Sequence, residues 1–185
     1  MDWPYELSDQ LSWHWQQPLR PRLEGLTDQE YFWEPAPDSW SVRPRGESQA
    51  PVQAGSGAFT IDFAFPEPAP APLTTIAWRL GHLVVGVLGA RVSGHFGGPP
   101  VDYETFVYAG AAAEALDQLD HMYNAWSQGV QSLGADELAR PCGSDEGPFA
   151  DRSMAALVLH INREVIHHGA EVALLRDLYP RRTTR

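Results

Sequence analysis

Four stretches of the chain carry apolar residues at spacings of three and four, and this pattern restricts the fold more than any other feature. They cover about 5–26, 76–92, 111–133 and 153–179. Such spacing places apolar side chains on one face of an α-helix. Because strand-like alternation is scarce, the sequence predicts an all-α fold, an antiparallel four-helix bundle. The length favours a single domain over 1–185.

Prolines and caps divide these helices. Pro18 and Pro21 interrupt the first helical stretch and predict a kink there. Thr74 and Thr75 are predicted to cap the second helix, and the glycine- and proline-rich run 94–100 to end it. The first and second helices are therefore joined by a long connection.

That connection, 34–73, is rich in proline, glycine and serine and is predicted to be an irregular arm lying over the helical core. Within it, 58–65 partly alternates between apolar and polar residues and is expected to form a short extended piece. Four aromatic residues are the expected anchors of the arm: Trp40, Phe59, Phe63 and Phe65.

The charge of the chain excludes several partners. Its net charge is −11, and all thirteen basic residues are arginine, which argues against nucleic acid or an anionic membrane surface as a partner. A single cysteine, Cys142, cannot form an internal disulfide, and we expect a loop thiol rather than a nucleophile there. The acidic start has no basic region of a signal peptide, and no apolar run approaches a membrane span. These features predict a cytoplasmic protein.

The segment 160–171 holds the residues best suited to chemistry. Glu164 and His168 lie four apart, hence one turn apart on a helix, where both could reach one cation. His160 lies on the same stripe. The only other histidine inside a long apolar run is His82, and two histidines with one carboxylate suit zinc or a non-haem iron. These residues also have an explanation without a metal. Glu164 and His168 could form an ordinary stabilising pair on one helix, and His82 could be a hydrogen-bonded histidine of the core.

A resemblance adds to this pattern. Trp-Arg-Leu-Gly-His at 78–82 and Arg-Glu-Val-Ile-His-His-Gly-Ala-Glu-Val-Ala-Leu-Leu-Arg-Asp-Leu-Tyr at 163–179 resemble the DinB-like superfamily. Leu-Thr-Asp-Gln-Glu-Tyr-Phe-Trp-Glu-Pro at 26–35 and Ser-Trp-Ser-Val-Arg at 39–43 do so as well. A His, Glu, His set resembles the branch of the N-terminal domain of mycothiol-dependent maleylpyruvate isomerase.

The resemblance implies that His82, Glu164 and His168 are the metal ligands, with His160 and His167 as neighbours. It implies a thiol-dependent transferase or isomerase with a divalent metal, zinc first and nickel or iron as alternatives. A low-molecular-weight thiol would be the cosubstrate and a small electrophile the substrate.

Two arginines, Arg79 and Arg163, could pair with anionic groups of these molecules, although the residues alone favour a surface arginine in each case. The resemblance also suggests a homodimer. The chain departs from the isomerase in ending soon after the fourth helix, without a second domain. Two other functions stay open, a non-haem iron oxygenase and a non-enzymatic, stress-associated metal-binding bundle.

Overall fold

The computed structural model describes residues 2–182. In that part the chain is mostly helical and carries one small three-stranded sheet. The helices are α1 (Trp3–His14), α2 (Asp28–Tyr31), α3 (Ile76–His82), α4 (Ala90–Phe96), α5 (Ala112–Gln131), α6 (Ala135–Ala139) and α7 (Met154–Leu178). The strands are β1 (Val42–Pro44), β2 (Val52–Ala54) and β3 (Phe59–Phe63).

The first helical stretch changes its winding where the prolines predict a break. Asp2 caps α1 by accepting a hydrogen bond from the Tyr5 backbone N–H. After α1 the backbone continues as a wider π-helical turn, Trp15–Leu19, which contains Pro18, and then as a short 3₁₀ turn, Pro21–Leu23. A proline donates no backbone hydrogen bond, which explains why regular α-helix stops there.

The second helical stretch is longer than the sequence predicted. Helix α3 passes through a π-helical segment, Leu83–Gly89, into α4, so helical backbone extends to Phe96 rather than ending near residue 92. Thr75 caps its start by accepting from the Trp78 N–H. Gly97 ends it with a φ of 70°, a left-handed conformation that glycine adopts without strain. Gly94, which seemed to end the helix, lies inside it.

The arm is not purely irregular, and the all-α prediction is wrong in this respect. Its strands form an antiparallel sheet in the order β1-β3-β2, with Val42 opposite Ile61 and Val52 opposite Phe63. Asp62, buried in β3, accepts hydrogen bonds from the Ser41 N–H, the Ser48 hydroxyl and Arg43 Nε. One carboxylate thus ties the neighbouring segments together, because a buried charge must be paired and hydrogen-bonded.

Three of the four predicted anchors of the arm are confirmed. Trp40, Phe59 and Phe63 are partly buried and pack against the core, whereas Phe65 is 94% exposed and is not an anchor. The extended piece expected at 58–65 is the strand β3.

The apolar faces of the long helices meet in one core. The face of α5 that meets this core includes Leu119 and Trp126, which are fully buried. The Tyr123 ring of α5 stacks on Trp15 with 3.8 Å between centroids. On α7, Leu157, Ile161 and Val165 are buried, whereas Leu178 is 42% exposed, so the core ends before the last turn. Among the described helices, none is long and apolar enough to span a bilayer.

Candidate metal centre

His82 ends α3 and is held by its surroundings in one orientation. Its ring stacks on Trp78, with 5.2 Å between centroids, and its Nδ1 atom lies 2.6 Å from the Tyr103 hydroxyl. Burial, together with the nearby His168, Arg79 and Arg91, lowers the pKa of His82 to about 3. The imidazole is therefore neutral at physiological pH, which is the form that binds metals.

Tyr103 reaches His82 only because residue 86 has no side chain. Tyr103 belongs to the segment between α4 and α5, while Gly86 lies one turn after His82. A Cβ atom on Gly86 would overlap the Tyr103 hydroxyl and lie 3.2 Å from His82 Nδ1. Burial raises the pKa of Tyr103 to about 12, so its hydroxyl stays protonated and can donate or accept.

His168 is the buried histidine of α7. Its Nδ1 atom lies 2.7 Å from Oε2 of Glu171, one turn further along the helix. A carboxylate accepts hydrogen bonds, so Nδ1 carries the proton and the lone pair of the neutral ring is on Nε2. Burial lowers the pKa of His168, and the Glu171 hydrogen bond opposes this effect.

Arg79 lies against the same pair. Its Nη1 atom is 3.3 Å from His168 Nδ1, and its Nε atom is 3.1 Å from Glu171 Oε2. That Nε atom is buried, and its orientation makes no hydrogen bond. Arg79 thus adds positive charge beside the two histidines without using all of its donors.

Glu164 connects His168 to the outer surface of α7. Its Oε2 atom lies 3.6 Å from His168 Nε2. The other oxygen, Oε1, lies 3.5 Å from His160 Nδ1 and 3.6 Å from Arg163 Nε. The carboxylate therefore stands between a buried imidazole and two partly or fully exposed side chains.

His82 and His168 come together from separate helices. Their rings meet edge to face, with 4.9 Å between centroids. The Nδ1 atom of each ring is held by another side chain, a tyrosine in one case and a carboxylate in the other. Metal-binding histidines usually have their second nitrogen held in this way. Two neutral imidazoles beside a carboxylate are a donor set that fits a zinc or ferrous ion.

A second donor set overlaps the first. Within residues 2–182, the one group of three potential ligands whose donor atoms all lie within 4.8 Å of one another is His167, His168 and Glu171. This group can hold a metal ion. His167, expected to be a neighbour, is 62% exposed and has its Nε2 atom 3.6 Å from Glu171 Oε1. The predicted set of His82, Glu164 and His168 is not gathered this closely. Since Glu164 Oε2 lies 3.6 Å from His168 Nε2, the wider separation is that of His82.

Two residues of the site were not predicted from the sequence. Glu171 has a weak signal, since it follows His168 by three residues and His167 by four. Tyr103 has none, because it lies outside the helical pattern and meets His82 only in the folded chain. Cys142 is buried and its thiol donates to the Phe149 carbonyl at 3.3 Å, which agrees with the loop thiol expected there.

Comparison with known proteins gives one match. A sequence model of the DinB superfamily matches residues 58–172, which include His82, Glu164 and His168. No curated protein and no solved structure gives a significant match to the chain. Since the matched residues make up more than half of the sequence, the chain belongs to the DinB superfamily.

Proposed function

We propose that the protein binds one divalent metal ion through His82, Glu164 and His168. The observation that carries the proposal is the pair of imidazoles from two helices, each with its Nδ1 atom already held and its Nε2 atom left for a ligand. Glu164, 3.6 Å from the Nε2 atom of His168, supplies the carboxylate. Membership of the DinB superfamily supports it, because such proteins typically bind metal.

In this proposal the protein is a thiol-dependent transferase or isomerase of the mycothiol type. A zinc ion held by His82, Glu164 and His168, or nickel or iron in its place, would stabilise a thiolate, which is the nucleophilic form of a thiol. Tyr103 and Glu171 keep the two imidazoles oriented, while Arg79 and Arg163 contribute positive charge for anionic groups of the thiol or substrate.

The chemistry is an attack of sulfur on an electrophilic carbon. A C–S bond forms, and the electron pair displaced from that carbon takes up a proton, which completes a conjugation. In an isomerisation the former double bond, now single, rotates before the C–S bond breaks. The neighbouring carbon then loses its proton as the double bond forms again, and the departing thiolate takes up a proton to give back the thiol. The chain's residues bind and orient the reactants in both cases.

Metal content tests the ligand set. The untagged protein is compared with Glu164→Ala and His82→Ala, and with His167→Ala as the matched control on the exposed side of α7. We expect about one equivalent of metal in the wild type and the control, and its loss in the other two while circular dichroism stays helical.

The opposite pattern is equally informative. Metal lost in His167→Ala and retained in His82→Ala would move the ion to the group of His167, His168 and Glu171. No metal in the wild type or in any variant, even after reconstitution with zinc, would refute the metal site and leave a helical bundle whose histidines only pack.

A second experiment tests the thiol. The cobalt-substituted protein is titrated with mycothiol, with glutathione and with a thiol-free analogue. A new sulfur-to-cobalt absorption band, absent with the analogue and in His82→Ala, is the expected result. Metal binding without any thiol-dependent band would contradict the transferase or isomerase proposal, and resident iron would instead favour oxygen chemistry.

The broader expectations belong to the same proposal. We infer a single domain over 1–185 whose four long helical stretches form an antiparallel four-helix bundle, located in the cytoplasm as a homodimer without a nucleic-acid or membrane partner. Light scattering coupled to size-exclusion chromatography measures the molar mass and so tests the dimer, because the mass of a monomer would contradict it.

A further inference from the structure

A cleft of about 720 Å³ lies beside the candidate metal centre. Three parts of the chain line it: α4, the segment that follows α6, and the first half of α7. Small-molecule sites in proteins commonly have volumes of about 300–1,000 Å³. Its apolar lining includes Pro148, Phe149 and Leu157.

The lining of the cleft carries a small excess of positive charge in a protein that is strongly acidic. Its lining holds three of the thirteen arginines, Arg91, Arg152 and Arg163, against two acids, Asp145 and Glu146. The net charge of the whole chain is −11. A local excess of positive charge in a concave surface attracts anions from solution.

Among residues 2–182, one of these arginines, Arg152, is available to a ligand, while Arg163 is engaged through Nη2 and Nε and keeps only Nη1 for one. Arg91 is occupied, because its Nε and Nη2 atoms pair with both oxygens of Glu146 at 3.2 and 3.0 Å. Within residues 2–182, the guanidinium of Arg152 makes no ion pair or hydrogen bond, and that of Arg163 contacts His160 and lies 3.6 Å from Glu164. A guanidinium binds a carboxylate or phosphate through two parallel hydrogen bonds.

The cleft also reaches the candidate metal ligands. His160 belongs to its lining, and His160 Nδ1 lies 3.5 Å from Oε1 of Glu164. Arg163 touches both. A molecule held in the cleft is therefore adjacent to the carboxylate that faces His168.

We propose that this cleft binds a small organic anion, with its carboxylate or phosphate on Arg152 and Arg163 and its apolar body on Phe149 and Leu157. The assignment of this anion as the substrate rests on the proposed metalloenzyme. The anion binding itself does not.

The test is a calorimetric titration of the full chain with two probe anions, 4-phenylbutyrate and phenyl phosphate, and with the neutral amide of 4-phenylbutyrate. The variants are Arg152→Met, Arg163→Met and the double variant. Arg140→Met is the matched control, because it removes the same charge from an exposed arginine near the cleft that does not line it.

We expect saturable binding of at least one anion, at least about tenfold weaker binding in each cleft variant, and unchanged binding in Arg140→Met. The stronger of the two probes identifies the carboxylate or the phosphate as the ligand chemistry. Equal binding of the amide, equal binding by the double variant, or no saturable binding of either anion would overturn the proposal.

The same titration in His82→Ala separates this proposal from the metal site. Anion binding retained in a variant that has lost its metal supports the cleft independently. If the wild type has no metal but binds the anion through Arg152 and Arg163, the proposed metalloenzyme fails while the anion site stands. If the wild type binds metal but neither anion, the anion site fails while the metal site stands.

Discussion

Removal of one hydroxyl group tests how the candidate metal centre is held. In Tyr103→Phe, the Nδ1 atom of His82 loses the partner that lies 2.6 Å away. Loss of such a partner typically weakens metal binding about 10- to 100-fold, or about 1.4–2.8 kcal/mol. In the metal-free protein, the unpaired ring nitrogen should lower the free energy of unfolding by about 1–3 kcal/mol.

Gly86→Ala should break the same contact, between the Tyr103 hydroxyl and His82 Nδ1, by displacing the tyrosine. The added methyl group overlaps the Tyr103 hydroxyl, so the ring must move away from His82. We expect a loss of zinc affinity similar to that of Tyr103→Phe. Because both changes break one interaction, the double variant should bind zinc about as tightly as Tyr103→Phe alone.

Zinc competition titration with a chromophoric chelator measures all four dissociation constants of this cycle. Tyr31→Phe is the control, since it removes a buried tyrosine hydroxyl that bonds the Ala109 carbonyl at 3.4 Å. A dissociation constant for Tyr103→Phe within about twofold of wild type, or single effects that simply multiply in the double variant, would refute the reasoning.

Three further results are expected. Zinc at 100 times its dissociation constant should stabilise the wild type by about 2.7 kcal/mol in a thermal melt, and a chelator should remove this gain. Arg176→Met should destabilise the fold by about 3 kcal/mol in urea titrations, because Glu30, a buried carboxylate, loses the guanidinium 2.8 Å away. Burial alone raises the pKa of Glu146, but hydrogen bonds from Arg91 and His95 bring it below its ordinary value of 4.5. The stability from this group is therefore full above that pH and lost as the pH falls below it, so Glu146→Gln should flatten the acid limb of a stability–pH curve.

The helices could be predicted from the sequence because the buried face of a helix requires apolar residues at intervals of three and four. Leu119 and Trp126 in α5 lie seven residues apart, Ile161 and Val165 in α7 lie four apart, and all are buried. The helix ends were less certain, as Gly94 shows. A glycine inside a helix and a glycine that ends one differ in backbone φ, which the sequence does not state.

The sheet could not be predicted, because its strands are short and are joined by a polar group rather than by an apolar pattern. β1 and β2 have three residues each, too few for alternation to be recognised. What holds the segments together is the buried Asp62 carboxylate, whose partners lie 14 to 21 residues away along the chain. Long-range pairing of this kind leaves no local signal.

The arm 34–73, which the sequence predicted only to cover the helical core, supports the candidate metal centre. The Phe63 ring of β3 packs edge to face on Tyr103, with 4.9 Å between centroids, and Tyr103 in turn holds His82. The Trp78 indole, on which His82 stacks, donates to the Asp62 carbonyl of the same strand at 2.8 Å. One strand therefore fixes both neighbours of His82. The superfamily match begins at residue 58, one residue before β3, so the strand lies inside the matched region together with the histidine that it helps to orient.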